Sequence, residues 1–214
     1  MKYELTDITI SYEGHILHRI KRLKDGKLGG YIENESNLSQ EGKCWVDDNA
    51  KVFDNAEVYD NALVYNNAII YENAEVYGNA RVYDNAIIHN KAHVFGKTKV
   101  YSTAEVCGNA ILSEYAEVFN NAKVFGAASI SGYAKIFDNA KVFDHADIFG
   151  YAMIRGISKV YENAKVYDTA NISYNAEIFG EAKVFDDAHI FENVKISGTA
   201  KINYDVYDTK SVYN

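Results

Sequence analysis

Hydrophobic positions recur along this chain with a period of six residues. From Val52 to Ile202, every sixth residue is Val, Ile or Leu, at 26 positions in a row without an insertion or deletion. Two residues earlier lies a second column, which from Ala50 to Val212 is Ala at 23 of 28 positions. Its exceptions are Thr98, Ser158, Val194, Val206 and Val212. Because side chains alternate across a strand, both columns are predicted to face one interior.

The two residues before each alanine are predicted to form corners. Pairs such as Asp54-Asn55 and Gly78-Asn79 are types that tolerate turn and left-handed conformations. A strand too short to fold alone, followed by a corner and repeated in phase, predicts a solenoid whose coils bury their interior against their neighbours. The chain has no proline, where average usage would give about ten, which is consistent with an unbroken ladder of hydrogen bonds.

The period, with Ala and Val or Ile at fixed offsets, resembles the hexapeptide-repeat, left-handed parallel β-helix, a three-faced prism with about 18 residues per coil. This resemblance implies the handedness, since crossovers are usually right-handed. We therefore expect a single-domain, all-β protein in which residues 44–206 form about nine coils and 207–214 the C-terminal end. At roughly 4.8 Å per coil, the rod would be roughly 43 Å long.

Residues 1–43 break the six-residue pattern and are predicted to form a small β cap, which an open solenoid end requires. Segments 3–10 and 16–23 read as strands, Asp25-Gly26 as a turn, and Gly29-Gly30 as a tight lead into the first coil.

The run LGGYIENESNLSQEGKCWV, residues 28–46, leads directly into the hexapeptides. This run resembles the corresponding segment of YdcK-like β-solenoid proteins from bacteria and prophages, and the likeness extends over the cap and the solenoid. Members are often described as acyltransferases because hexapeptide transferases share the fold, but a shared fold does not establish a function.

Composition predicts a soluble, cytoplasmic protein without a membrane segment. The charge is -8, from 30 acidic and 22 basic residues, and no apolar stretch approaches the ~20 residues of a membrane span. The N-terminus lacks the pattern of a secretory signal. Cys44 is predicted to lie inside and Cys107 outside, at a separation of roughly 17 Å, which is too far for a disulfide.

Candidate catalytic chemistry is sparse. Hexapeptide acyltransferases use a histidine as general base, and His89 and His93 are weak candidates on two faces that flank one corner. No extruded loop interrupts the repeat, and no Cys/His cluster has zinc spacing. The sequence therefore predicts no catalytic residues, no metal and no cofactor, with acyl-CoA required only by the acyltransferase alternative.

Outward positions form columns, because residues one coil apart stack at the strand spacing. The predicted partner-binding residues are four cations of the cap and three lysine-aromatic pairs of the solenoid: Arg19, Lys21, Arg22, Lys24, Lys123, Phe125, Lys141, Phe143, Lys159 and Tyr161. The most apolar outer patch is predicted to mediate self-association: Phe53, Ile69, Tyr71 and Ile87.

The favoured hypothesis is a non-catalytic interaction protein, encoded by a phage or prophage, that binds and modulates a host protein or nucleoprotein machine such as a defence nuclease. Its partner would be a protein; nucleic acid is not favoured as the sole ligand, and a homo-oligomer is compatible. The alternatives are an acyl-CoA-dependent acyltransferase and a purely structural, self-assembling module.

Overall fold

The protein is a three-sided parallel β-solenoid of about ten turns. The computed structural model describes residues 1–207 and 212–213. Each short strand pairs in parallel with the strand one coil further on, as Lys51 with Ile69 and Val52 with Ile70. This register confirms the architecture predicted from the six-residue period. Among the described residues, no helix is long and apolar enough to cross a membrane.

Each face of the prism is one sheet. The faces are called first, second and third in the order in which the chain passes them at Ile32, Leu38 and Trp45. The first face contains, after an antiparallel hairpin, Leu28–Ile32, Lys51–Val52, Ile69–Ile70, Ile87–Ile88, Glu105–Val106, Lys123–Val124, Lys141–Val142, Lys159–Val160, Glu177–Ile178, Lys195–Ser197 and Val212–Tyr213. The second face contains Glu57–Val58, Glu75–Val76, His93–Val94, Ile111–Leu112, Ser129–Ile130, Asp147–Ile148, Lys165–Val166, Lys183–Val184 and Lys201–Ile202. The third face contains Trp45–Val46, Leu63–Val64, Arg81–Val82, Lys99–Val100, Glu117–Val118, Lys135–Ile136, Met153–Ile154, Asn171–Ile172 and His189–Ile190.

The interior consists of the two columns that the sequence predicted. The alanines and the branched residues form one continuous buried cluster along the rod. Cys44 takes an alanine-type place and is fully buried, whereas Cys107 is only partly buried, and both thiols are free. The outward neighbours of the interior residues are mostly half-buried, because each packs against its equivalents in the coils on either side.

Corner residues adopt left-handed backbone conformations, as their types predicted. Asp54 (φ 54°) and Asp84 (φ 58°) are examples. Their carboxylates also link the coils, because Asp54 accepts a hydrogen bond from the Glu72 amide and Asp84 one from the Ser102 amide, both at 3.2 Å. Short acidic and amide side chains therefore favour the corner and satisfy a backbone donor of the next one.

Residues 28–46 already complete one parallel coil. Strand β1 (Tyr3–Tyr12) and strand β2 (His15–Arg22) form the antiparallel hairpin, and β2 continues antiparallel to β3 (Leu28–Ile32). Strand β3 pairs in parallel with Lys51–Val52, Leu38 bridges to Val58, and Trp45–Val46 pairs with Leu63–Val64. A Cβ on Gly29 would lie 2.6 Å from the carbonyl oxygen of Val46, which explains the tight Gly-Gly lead.

One corner of this first coil is longer than the others. The parallel partners are 20 residues apart at Ile32 and Leu38, but 18 apart from Trp45 onward. Two extra residues therefore lie between 38 and 45. A single 3₁₀ turn, Glu35–Asn37, precedes this corner, and the buried Asn37 amide donates to the carbonyl oxygens of two residues of the next coil.

The N-terminal hairpin closes the open end of the interior. Tyr3 is fully buried, donates its hydroxyl hydrogen bond to the carbonyl oxygen of Leu38 at 2.6 Å, and packs edge-on against Trp45. Burial raises the pKa of Tyr3 far above its ordinary value. The other side of the hairpin covers the first face, where Leu17 and Tyr31 enclose Phe53.

The last coil corrects two assignments made from the sequence. The spacing placed Val206 and Val212 in the alanine column, but Val206 pairs with Ile190 and Val212 with Ile196, both in the branched column. The reason is that this coil is two residues shorter than the regular coils, with partners 16 rather than 18 residues apart. Of the C-terminal end 207–214, residues 208–211 and 214 lie outside the described residues.

A histidine fastens the tip of the hairpin to the solenoid. His15 Nδ1 lies 3.0 Å from a Glu33 oxygen, its Nε2 lies 3.6 Å from an Asp54 oxygen, and its ring packs on Phe53. The hydrogen bond with Glu33 raises the pKa of His15 above its ordinary 6.5. Burial acts to raise the pKa of Glu33, but hydrogen bonds from His15 and the Asp54 amide hold it below its ordinary 4.5.

The attachment of the hairpin is therefore expected to depend on pH. Because the pKa of His15 is raised, its interaction with Glu33 stabilises the attached hairpin fully below pH 6.5. This stabilisation is lost as the pH rises through the raised pKa. Because the pKa of Glu33 is lowered, its carboxylate stabilises the attached hairpin fully above pH 4.5. This stabilisation is lost as the pH falls through the lowered pKa. The hairpin should be most firmly attached between these limits.

Amide hydrogen exchange of β1 and β2, corrected for intrinsic rates, measures this attachment on both sides of the window. His15→Gln should remove the dependence at the upper limit. His18→Gln is the matched control on the same strand, because the His18 ring contacts the carbonyl oxygen of Thr6 rather than a carboxylate. Equal pH profiles for wild type and His15→Gln would contradict the prediction.

Candidate binding surface

The cap cations, which we call the cap cluster, are Arg19, Lys21, Arg22 and Lys24. Most of them are engaged within the chain. Arg19 donates to the carbonyl oxygen of Gly29 at 3.1 Å, and Lys21 pairs with a glutamate of β1 at 3.0 Å. Arg22 forms a two-pronged pair with Asp25, which lowers the pKa of that carboxyl to about 2. Among the described residues, Arg19 and Lys24 have no carboxylate within 4.0 Å, and of these two Arg19 is engaged by the Gly29 carbonyl oxygen.

The predicted lysine ladder exists on the first face, and we call it the lysine column. Lys123, Lys141 and Lys159 are aligned on three successive strands. A carboxylate flanks each end, because Lys123 pairs with Glu105 and Lys159 pairs with Glu177 at 3.0 Å. Within the described part of the chain, Lys141 is the member of this column without a carboxylate partner. The column therefore offers less free positive charge than its sequence suggested.

The aromatic rings beside this column are stacked on one another. Phe125 and Phe143 lie 4.8 Å apart with parallel planes, and Phe143 and Tyr161 lie 4.9 Å apart. Their faces are therefore occupied by neighbouring rings, and only their edges face outward. This arrangement stabilises the sheet through contacts between neighbouring strands.

The hairpin occupies part of the patch predicted to mediate self-association. Phe53 is only 2% exposed, because Leu17 and Tyr31 cover it. Tyr71 stacks on Phe53 at 5.2 Å and remains partly exposed, as do Ile69 and Ile87 on neighbouring strands. Phe53 cannot contact a second copy while the hairpin is in place, which leaves a smaller apolar patch.

The two candidate catalytic histidines lie on different faces. His89 follows a strand of the first face, and its Nε2 lies 3.2 Å from an oxygen of Glu105. His93 begins a strand of the second face, and its Nδ1 lies 3.6 Å from an oxygen of Glu75. The structure thus places each histidine beside a carboxylate and does not bring the two together in one site.

Three exposed tyrosines form a column that the sequence reading missed. Tyr115, Tyr133 and Tyr151 are the second residues of equivalent corners in three successive coils. They are 40%, 45% and 61% exposed. Their rings stack at 4.6 and 4.9 Å. The signal is present in the sequence, since tyrosine recurs at 18-residue spacing, but it lies at corner positions, whose residue types predict only turns.

A groove runs between this column and the outward side chains of the third face. We call it the tyrosine groove; it is lined by Asn79, Arg81, Lys97, Lys99, Tyr115, Glu117, Tyr133 and Lys135. Four cations and one carboxylate give this surface a formal charge of +3 on a protein whose net charge is -8.

Two cations of the groove are not neutralised. Glu117 pairs with Lys99 at 2.8 Å and lies 3.8 Å from Lys135. Arg81 and Lys97 have no carboxylate within 4.0 Å among residues 1–207. The ammonium of Lys97 lies 5.0 Å from the centre of the Tyr115 ring and donates to its hydroxyl oxygen. The groove therefore combines exposed aromatic surface with available positive charge.

Comparison with known proteins agrees with the coil geometry. The family model described as the YdcK beta solenoid repeat matches residues 56–72 and 74–90. These two coils are similar to YdcK β-solenoid repeats. The matches confirm the resemblance that we first based on residues 28–46, although they fall in the hexapeptide coils. No curated protein matches the chain. The YdcK repeat describes the architecture, and the function has to be argued from the surface.

Proposed function

We propose that this protein is a non-catalytic binding protein that uses the tyrosine groove to dock on an acidic surface of a macromolecular partner. The proposal is carried by the presence of two uncompensated cations, Arg81 and Lys97, in one groove with two exposed tyrosine rings. Lys97 contacts the nearer ring, that of Tyr115. Tyrosine and arginine are the residue types enriched at protein interfaces and at their energetic centres.

The rigidity of the coils supports this role. Tyr115 and Tyr133 lie at equivalent corners of neighbouring coils, and their rings are stacked. Arg81 and Lys99 lie on neighbouring strands of the third face. Docking such a surface requires little ordering of the backbone, so a larger share of the contact energy appears as affinity. The positive groove on an acidic protein would also orient an acidic partner during approach.

The tyrosine groove fits this role better than the surfaces named from the sequence. In the cap cluster and the lysine column, most cations have a carboxylate or carbonyl partner within the chain. A partner would have to replace those contacts, which reduces the net gain. We keep both surfaces as secondary contacts. We further propose that the protein is encoded by a phage or prophage, and that its partner is a host protein or nucleoprotein machine, such as a defence nuclease, which it modulates.

Charge reversal tests the proposal in a tagged pull-down from cell lysate, with and without nuclease treatment. The double variant Arg81→Glu/Lys97→Glu should weaken capture of the partner at least about tenfold, because reversed charges at the centre of an interface repel an acidic surface. Raising the salt concentration should also weaken the wild-type complex, because salt screens the attraction between exposed charges. Nuclease sensitivity would show whether nucleic acid bridges the contact.

The matched control is Lys141→Glu/Lys159→Glu, which changes the same number of charges on the lysine column. Loss of capture in this control alone would show that the partner binds the first face. It would contradict the proposal that the partner docks on the tyrosine groove. Full capture by both variants would contradict the proposal altogether. The acyltransferase alternative predicts instead that acyl-CoA at 100 times its dissociation constant stabilises the protein by about 2.7 kcal/mol in a thermal shift assay.

A further inference from the structure

Three side chains with metal-binding chemistry meet on the first face, away from the tyrosine groove. One ligand atom from each of His89, Glu105 and Cys107 lies within 4.8 Å of the other two. His89 Nε2 lies 3.2 Å from Glu105 Oε1. All three side chains are partly buried, so they are held by their surroundings but remain open to solvent on the outer side.

The solenoid creates this cluster from residues that are far apart in sequence. His89 and Cys107 follow paired strands, in which Ile88 is aligned with Val106, so that they occupy the same outward column one coil apart. Glu105 lies two residues before Cys107 and therefore points to the same side of the strand. Standard zinc motifs have much shorter spacings, which is why the sequence predicted no metal.

We propose that His89, Glu105 and Cys107 form a binding site for a divalent zinc ion on the outer surface of the first face. The ion would take the imidazole Nε2, one carboxylate oxygen and the thiolate as ligands, and solvent would complete the shell. An imidazole with a thiolate favours zinc over magnesium or calcium, which prefer oxygen ligands. This inference is independent of the proposed docking function.

The groups around these three side chains support the assignment. Zinc-bound histidines usually direct their second ring nitrogen at a carboxylate, and His89 Nδ1 lies 4.0 Å from an oxygen of Glu72. The Tyr71 ring stacks on the His89 ring at 4.9 Å and fixes its orientation. Glu105 uses its two oxygens separately, since Oε1 faces His89 while Oε2 pairs with Lys123. The carboxylate can thus bind an ion through Oε1 and keep its lysine partner.

Binding must displace one proton, which provides a second readout. A cysteine thiol is ordinarily protonated at neutral pH, because its usual pKa is about 8.5. Zinc binds the thiolate, and the thiol proton leaves to solvent. We therefore expect about one proton to be released per ion and affinity to increase with pH.

A second cluster in the described residues provides an internal comparison. His15, Glu33 and Asp54 also bring three ligand atoms together, but they include no thiol. His15 is already used to hold the hairpin on the solenoid. The presence of Cys107 makes the first cluster the better zinc site, and the two can be distinguished by mutation.

The test is titration of the chelator-treated full chain with zinc by calorimetry, and with cobalt(II) by absorption spectroscopy. We expect one ion per chain, proton release on binding, and thiolate-to-cobalt charge-transfer absorption. Cys107→Ser should abolish that absorption and weaken zinc binding at least about tenfold, and His89→Gln should weaken it similarly. Circular dichroism of each variant checks that the solenoid remains folded.

The matched controls are Cys44→Ala and His93→Gln, each of which removes the same residue type outside the cluster. Cys44 occupies an alanine-type interior place, so alanine fits there. Both controls should bind zinc like wild type. The proposal is overturned if wild type binds no zinc, if Cys107→Ser binds it unchanged, or if His15→Gln alone removes binding.

Discussion

Gly42→Ala is expected to destabilise the first coil by about 3 kcal/mol, from left-handed strain, a steric clash and weakened hydrogen bonds. Gly42 has φ +67°, and a Cβ there would lie 2.1 Å from the carbonyl oxygen of Asp60. That oxygen accepts hydrogen bonds from the amides of Lys43 and Cys44, at 2.7 and 2.9 Å. Relieving the clash would therefore stretch two backbone hydrogen bonds of the longer corner.

Urea unfolding followed by the fluorescence of Trp45 measures this effect. Trp45 is the single tryptophan of the chain, and it is buried in the same coil. Gly26→Ala is the matched control, because Gly26 has φ +74° but nothing within 4 Å of an added Cβ. It should cost only about 1 kcal/mol, the left-handed penalty alone. Equal losses for the two variants would show that the clash with Asp60 contributes nothing.

Val142→Asp should have the largest effect within the rod, about 4 kcal/mol or more. Val142 is fully buried in the interior cluster. A carboxylate there would lie among aliphatic side chains without a hydrogen-bonding partner, and desolvation of such a charge is costly. Because each coil contacts only its neighbours, the damage should be concentrated around the middle of the rod.

The neighbouring residue is the control. Lys141 points outward between Lys123 and Lys159, so Lys141→Asp replaces a repulsive alignment with an attractive one. This variant should be neutral or more stable by up to about 1 kcal/mol. Hydrogen exchange of the amides of Val124 and Val160, on the adjacent strands, measures both variants. Comparable destabilisation by the two aspartates would contradict the assignment of inward and outward positions.

The candidate surfaces were less predictable from sequence than the coils. The columns of Lys123, Lys141 and Lys159 follow from the repeat, but their pairing with Glu105 and Glu177 depends on how long side chains cross between strands. The covering of Phe53 depends on where the hairpin folds back. The ion pairs join residues one coil apart, so the period predicts their proximity but not their geometry. The contact of the hairpin with Phe53 joins segments whose sequence separation carries no periodic signal.

The coil, the interior and the corners follow from the amino-acid sequence, because a strict period allows only one register that buries nearly all of the alanines and branched residues. The outward columns also follow from the repeat, but their contacts and exposure depend on the folded structure. It shortened the last coil at Val206, placed the hairpin over Phe53, opened the tyrosine groove, and brought His89 to Glu105 and Cys107. Interior positions are constrained by burial. The repeat predicts which outward side chains share a column, whereas their ion pairs, exposure and covering depend on how the coils and the hairpin pack.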